Sequence, residues 1–261
     1  LKYGTFSVVM CRSRSLAYFS AANLDRSTRG TSERGSWRND PRIAPREQIG
    51  ESFYGDQRAH DDQATDFPFD RGHLTRFADA RWGDLERRNG ADSFHFPNCV
   101  PQHEAFNQSD SRNGIWWRLE DWAVDLGASG RLCIINGPLF DAPASKKQKG
   151  ERVLQPHRPA HRDPVFNGVA VPKQFFKVIA FVGSDDKLAL QAFVVTQENV
   201  LETTEAIREA LTDRELSLYR VKMKVVEKLS GLSFGRLSSG GITINEADVS
   251  DVELITSLDQ L

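Results

Sequence analysis

FDRGH, residues 69–73, and NCVPQHEAFN, residues 98–107, are the two stretches on which the reading of this chain turns. The first crowds Asp70, Arg71 and His73 around one glycine. Alone, it reads as a polar turn, with Gly72 allowing a tight backbone path and Asp70 and Arg71 forming a local ion pair. His73 would then be a turn histidine bonded to a carbonyl. The second stretch changes the balance, because it sets Asn-x-x-Pro-Gln-x-x-x-x-Asn 25 residues after His73. In it, Asn98 and Gln102 read as side chains that bond backbone groups in an irregular loop.

Outward from these stretches, the 261 residues carry 34 Lys and Arg against 36 Asp and Glu, a formal net charge of -2. No global field marks the chain for a polyanion, so any such site must be a local patch. At 39% hydrophobic the chain can bury a core without disulfide or metal staples. Cys11, Cys99 and Cys133 are few and widely spaced, which reads as buried free thiols. With no apolar run of membrane-spanning length and no signal-like start, the expectation is a cytoplasmic protein without a membrane partner. The first residue is Leu, consistent with processing or with one module of a longer polypeptide.

Two β-rich runs, TFSVVMCR and LAYFSAANLD, predict an opening hairpin across SRS. Residues 21–66 read as a long irregular excursion, and ADARWGDLERR as a short helix closed by Asn89-Gly90. GIWWRLEDWAVDLGASG predicts an amphipathic helix with Ile115, Trp116, Leu119, Trp122, Ala123 and Leu126 on one face. RLCIINGPLF, VAVPKQFFKVIAFV and LALQAFVVTQ predict strands, and SLYRVKMKVVEKLSGLSF a helix ended by Gly231. Between the first two strands lies a polar stretch in which residues 146–162 hold six Lys or Arg and one Glu. It reads as a solvated loop or a backbone-holding arm; prolines at 156 and 159 argue against a helical metal pair at His157 and His161. Without a linker or a repeat, residues 1–261 read as one α+β domain.

FDRGH, NCVPQ with the following FNQ, INGPLF, VAVPKQFFKV and EKLSGLSF together resemble the DNA/RNA non-specific endonucleases, the ββα-metal (His-Me finger) nucleases. The likeness covers most of the chain. It implies a central antiparallel sheet flanked by helices and hydrolysis of phosphodiester bonds in DNA and RNA. Mg2+ is the implied cofactor, with Mn2+ able to substitute. Transferred onto this sequence, the family pattern makes His73 the general base, Asn107 the metal ligand and Glu120 a carboxylate near the metal's water shell. Arg34 is the upstream phosphate-binding arginine, with Arg38 a close rival; Arg71 and Arg118 are further substrate-binding candidates. The residue chemistry agrees: a neutral imidazole takes a proton near neutral pH, and a hard cation that keeps several waters needs few protein oxygens.

Two departures from the family pattern matter. Asn107 and Glu120 stand 13 residues apart where the family usually has eight, so QSDSRN holds a five-residue insertion and Asn113 becomes a rival ligand. Val124 stands where the family often has an arginine, a charge for which Arg118 or a loop cation could substitute. Three other readings remain open: a catalytically impaired nucleic-acid-binding domain, a phosphodiesterase for small diesters, and a nuclease module held off by a regulatory domain or inhibitor. The resemblance also brings a homodimer into the set of expected assemblies.

Overall fold

The computed structural model describes residues 1–55, 69–108, 114–126, 130–140, 163–197, 217–235, 245–246 and 252–256. Its frame is an eight-stranded sheet. Strand β1 (Phe6–Cys11) pairs antiparallel with β2 (Leu16–Asp25), which is the opening hairpin expected from sequence. Further along, β3 (Phe69–His73) and β4 (Cys99–His103) pair only with each other, away from the sheet. Then come β5 (Arg131–Leu139), the short antiparallel pair β6 (Val165–Phe166) and β7 (Val169–Ala170), β8 (Gln174–Val182), β9 (Leu188–Thr196), β10 (Ser217–Val221), β11 (Asn245–Glu246) and β12 (Val252–Ile255). The sheet order is β1-β2-β5-β8-β9-β10-β12, antiparallel throughout, with β11 added parallel to β9.

Both faces of β8 are buried. Phe175 and Ile179 join one hydrophobic cluster, and Phe176 and Val178 join another on the opposite side. The helices are α1 (Glu51–Gly55), α2 (Phe77–Ala80), α3 (Glu86–Asp92), α4 (Glu104–Asn107), α5 (Ile115–Val124) and α6 (Met223–Ser230). On the first side α5 lays down Trp116, Leu119 and Ala123, with Ile115, Trp122 and Leu126 packed at the margin, as its 3.6-residue period predicts. On the second side α6 contributes Met223 and Val226 and ends at Gly231, whose left-handed φ of 71° favours glycine. No helix among the described residues is long and apolar enough to cross a membrane.

Four sequence expectations require correction. The helix over ADARWGDLERR is two helices, because Gly83 takes φ 75° between them; Asn89 and Gly90 lie inside α3 rather than at its end. Gly90 is needed for packing, since a Cβ there would come within 2.8 Å of the Phe77 ring. The helix over SLYRVKMKVVEKLS begins only at Met223, because residues 217–221 pair with both β9 and β12, and ladder bonds on two sides outweigh local helical periodicity. FDRGH is a strand and not a turn. Its strand partner β4 starts 26 residues past its end, so neither piece carries a local hairpin signal. Of the thiols, only Cys99 is fully buried; Cys11 and Cys133 are partly exposed, and all three are free. The basic stretch 146–162 lies outside the described residues.

Candidate active site

Strands β3 and β4 with the short helix α4 form a β-β-α unit against one face of the sheet. Register places Asp70 opposite Gln102, Gly72 opposite Val100 and His73 opposite Cys99. β4 runs directly into α4, so Asn107 ends the helix beside the start of β3. Asn107 donates its side-chain N–H to Asp70 Oδ2 at 2.9 Å, and Gln108 donates to the other oxygen at 3.0 Å. Asp70 therefore does not pair with Arg71, as the sequence suggested. Arg71 instead forms an ion pair with Glu51 and lies over the Tyr54 ring. Nor is Gly72 there for backbone freedom: a Cβ would lie 2.2 Å from Gln102 Oε1, whose side chain fills that space.

His73 is wedged among aromatic rings. Trp37 lies 4.5 Å from it and the edge of Phe94 meets it at 5.0 Å. Its Nε2 is sealed from solvent without a hydrogen-bond partner among the described residues. Burial, with a smaller push from the positive charge of Arg34, holds the imidazole down to about 3, so the ring is neutral at ordinary pH. Arg34 is exposed and sits over Phe94, 5.6 Å from the ring centre, which places a cation beside the histidine. Arg38 is otherwise engaged: it donates to His95 Nε2 at 3.1 Å and lies 3.7 Å from Asp92.

Behind His73 the main chain is clamped. Asn98, fully buried, donates to the carbonyls of Thr75 and Ser93 and accepts the N–H of Thr75. Asn136 donates to the Leu74 carbonyl at 2.9 Å, and Ser20 shares a proton with Thr75 at 2.6 Å. The expectation for Asn98 holds. Gln102 behaves differently, since both atoms of its amide are buried without partners among the described residues.

Glu120 is buried and not a solvated helix position. Its Oε1 lies 3.6 Å from Lys177 Nζ, a charge contact rather than a hydrogen bond. Burial pushes its carboxyl up to about 7 against the opposing pull of Lys177 and then Arg76. Arg76, three residues past His73, is itself held by Asp79 at 2.7 Å. These two cations were missed by sequence reading. The signal was present for Lys177, which falls in phase with Phe175 and Ile179 on an inward strand face. Val124 is buried, and its carbonyl accepts from Arg26. No hydrogen bond or ion pair joins Arg118 to His73, Asn107 or Glu120 among the described residues. Asn113 lies outside the described residues, but both ends of its segment are defined: Gly114 N–H donates to the Gln108 carbonyl at 2.7 Å. The residues that flank 109–113 are thus hydrogen-bonded to each other.

The amide of Asn107 fits a hard divalent cation. Its N–H is committed to Asp70, which leaves the carbonyl Oδ1 as the donor atom. No group of three or more His, Cys, Asp and Glu gathers among the described residues.

Residues 1–238 match the DNA/RNA non-specific endonuclease family. The chain belongs to that family. Curated relatives include human mitochondrial endonuclease G, 29% identical over 64% of the chain and 48% of the relative. Mitochondrial nuclease EXOG of Xenopus laevis is 30% identical over 63% of the chain and 40% of its own length. An uncharacterized protein of Sinorhizobium fredii, y4fB, is 30% identical over 76% of the chain and 27% of its own. The chain thus spans about half or less of the length of these relatives. In fold it is similar to a chain in a crystal structure of the EndoG/EndoGI complex, with a TM-score of 0.62 at 19% identity, covering 90% of this chain and 84% of that one. That likeness supports the α+β architecture with a central antiparallel sheet. As a member of the non-specific endonucleases, this chain carries a β-β-α unit of β3, β4 and α4, followed by α5.

Proposed function

We propose that the chain is a divalent-metal-dependent endonuclease hydrolysing phosphodiester bonds in DNA and RNA, with His73 as general base. The observation that carries this reading is the unpartnered Nε2 of His73, a sealed nitrogen on a neutral ring beside an exposed arginine. A buried polar atom without a partner costs free energy, and sites of chemistry are where such costs persist. Because Nε2 holds no hydrogen bond to the described residues, it can take a proton from a water admitted beside it without first breaking one. Trp37 and Phe94 fix the ring's plane, so proton transfer needs no rotamer search.

Mg2+ held through the Asn107 carbonyl, with Mn2+ as a substitute, would supply charge neutralisation at the phosphoryl group and the leaving oxygen. Asp70 orients that amide. Arg34 would hold a non-bridging phosphate oxygen, while Arg38, Arg71 and Arg118 serve substrate binding at the margins. Glu120 would order water near the cation. Contacts to phosphate alone carry no sequence information, which accounts for low sequence preference. A nucleic-acid strand is therefore the partner, and the chain works in the cytoplasm unless a preceding segment directs it elsewhere.

The test is cleavage of supercoiled plasmid and of a structured RNA with Mg2+, Mn2+ or EDTA, for wild type beside His73→Ala. Metal-dependent cutting of both substrates that falls by 100-fold or more in the variant, roughly what general-base loss costs, is the expected result. Cutting that survives in the variant overturns the role of His73. Retention of DNA in a gel shift without cutting by wild type favours a binding domain.

A further inference from the structure

A row of polar side chains crosses the middle of an otherwise apolar sheet face. Register aligns Ser20 of β2 with Asn136 of β5, and Asn136 with Lys177 of β8. All three are buried to within 2%. Fully buried lysine is rare, because desolvating an ammonium is costly unless it finds partners. Lys177 has three. It donates to Asn136 Oδ1 at 2.7 Å, lies 4.2 Å from the centre of the Trp116 ring, and stands 3.6 Å from Glu120 Oε1.

Each partner leads to the candidate site. Asn136, its Oδ1 occupied by Lys177, turns its N–H to the Leu74 carbonyl, one residue past His73. Trp116 and Glu120 are one turn apart on α5, so the same ammonium caps both. Oε1 of Glu120 and Nε1 of Trp116 have no hydrogen-bond partner among the described residues, so charge, and not a network of donors, holds the carboxylate where it is. We infer that Lys177 is a positioning residue for the nuclease reaction: one side chain fixes, through Asn136, the backbone behind His73 and, through its charge, the Glu120 carboxylate. This rests on the nuclease reading given above.

A purely structural lysine would contribute packing and stability without touching turnover. The charged groups that act on Glu120 are Lys177 from β8, Arg76 before α2 and Asp79 within it; Asp121, next to Glu120 on α5, acts on Arg76. Deleting Lys177 leaves Arg76 alone to oppose burial and Asp79. The carboxyl then protonates at higher pH, and the acid limb of activity moves up with it.

The experiment compares wild type, Lys177→Met, Glu120→Gln and the double variant in plasmid cleavage with Mg2+, across pH, together with thermal unfolding. Lys177→Met is expected to lose roughly 10- to 100-fold in kcat, the range seen when residues that orient a metal site are removed, with little change in KM. Its acid limb moves to higher pH, and Glu120→Gln abolishes that movement. The double variant loses less kcat than the two single losses multiplied, because in it only the Asn136 arm remains for Lys177→Met to remove. Unchanged kcat and pH profile in Lys177→Met, or losses that multiply in the double variant, overturn the inference. If Lys177→Met does not fold, the double variant decides: removing both members of a coupled buried pair restores folding that removing one destroys. A double variant less stable than either single sinks the coupling. Absence of cutting by wild type sinks the nuclease reading and this one with it, whereas an active wild type with a fully active Lys177→Met sinks this one alone.

Discussion

The side-chain N–H of Asn107 meets Asp70 Oδ2 at 2.9 Å, and this single bond decides which end of the amide faces the candidate metal position. An ionised carboxylate only accepts, so the nitrogen must turn towards it and the oxygen away. Asp70 is thus the orienting group for a candidate ligand 37 residues downstream.

Asp70→Ala should therefore weaken metal binding more than it weakens the fold. The expected result is a Mg2+ concentration for half-maximal cleavage that rises by about 10-fold or more, as when other ligand-orienting groups are removed, while unfolding temperature changes by only a few degrees. A titration curve that overlays wild type would show that the amide is oriented by something else.

Asn107 and Asn113 can be separated by the same titration. Gly114 N–H closes onto the Gln108 carbonyl, so the residues that flank 109–113 stand next to each other, which favours Asn107 in the proposed ligand position. Asn107→Ala should raise the metal requirement at least 10-fold, whereas Asn113→Ala should leave it within about twofold, the range of an uninvolved site. The reverse pattern would transfer the ligand to Asn113.

Gly72→Ala should destabilise the chain by about 1–3 kcal/mol, the usual cost of overpacking a filled core position. The added methyl would meet Gln102, which is wholly buried. Gln102→Ala in the same chain makes room and should return part of that loss in urea unfolding. Additive losses would show that the glycine serves the backbone after all.

Acid stability reports on His73. Its folded value, about 3, lies below the ordinary 6.5, so the unfolded chain binds a proton that the folded ring refuses. The contribution to stability is full above about 6.5 and is lost as pH falls towards 3, by up to about 1.4 kcal/mol per pH unit. His73→Phe keeps an aromatic ring between Trp37 and Phe94 but cannot titrate. Its stability should therefore drop less between pH 7 and pH 5 than that of wild type, by roughly 1–2 kcal/mol. Equal drops would mean that His73 is not held neutral by the fold.

Legibility from sequence followed the range of the forces involved. Helix α5 was readable because Trp116, Leu119 and Ala123 recur at helical spacing within one segment. The opening hairpin was readable for the same local reason. Strands β3 and β4 were not, since polar FDRGH and proline-bearing CVPQH gain their strand character only from each other. Residues 217–221 read as helix because their ladder partners, β9 and β12, lie elsewhere in the chain. In the site, motif spacing pointed to His73, Asn107 and Glu120, but the partners of those residues were invisible. Asp70 was assigned to Arg71, its neighbour in sequence, and Lys177 passed as an ordinary strand lysine. Partner choice depends on long-range packing that periodicity does not encode.

The closure at Gln108 and Gly114 also bears on how this chain tolerates change. The segment between them starts and finishes at a single hydrogen bond of 2.7 Å, so its length is decoupled from the distance between α4 and α5. The free-energy cost of lengthening such a loop grows only logarithmically, about 0.6 kcal/mol per doubling. Evolution can therefore extend or trim the chain here without moving Asn107 relative to Glu120. The same port would accept a spliced ligand-binding peptide, giving a handle for making cleavage conditional on an added small molecule.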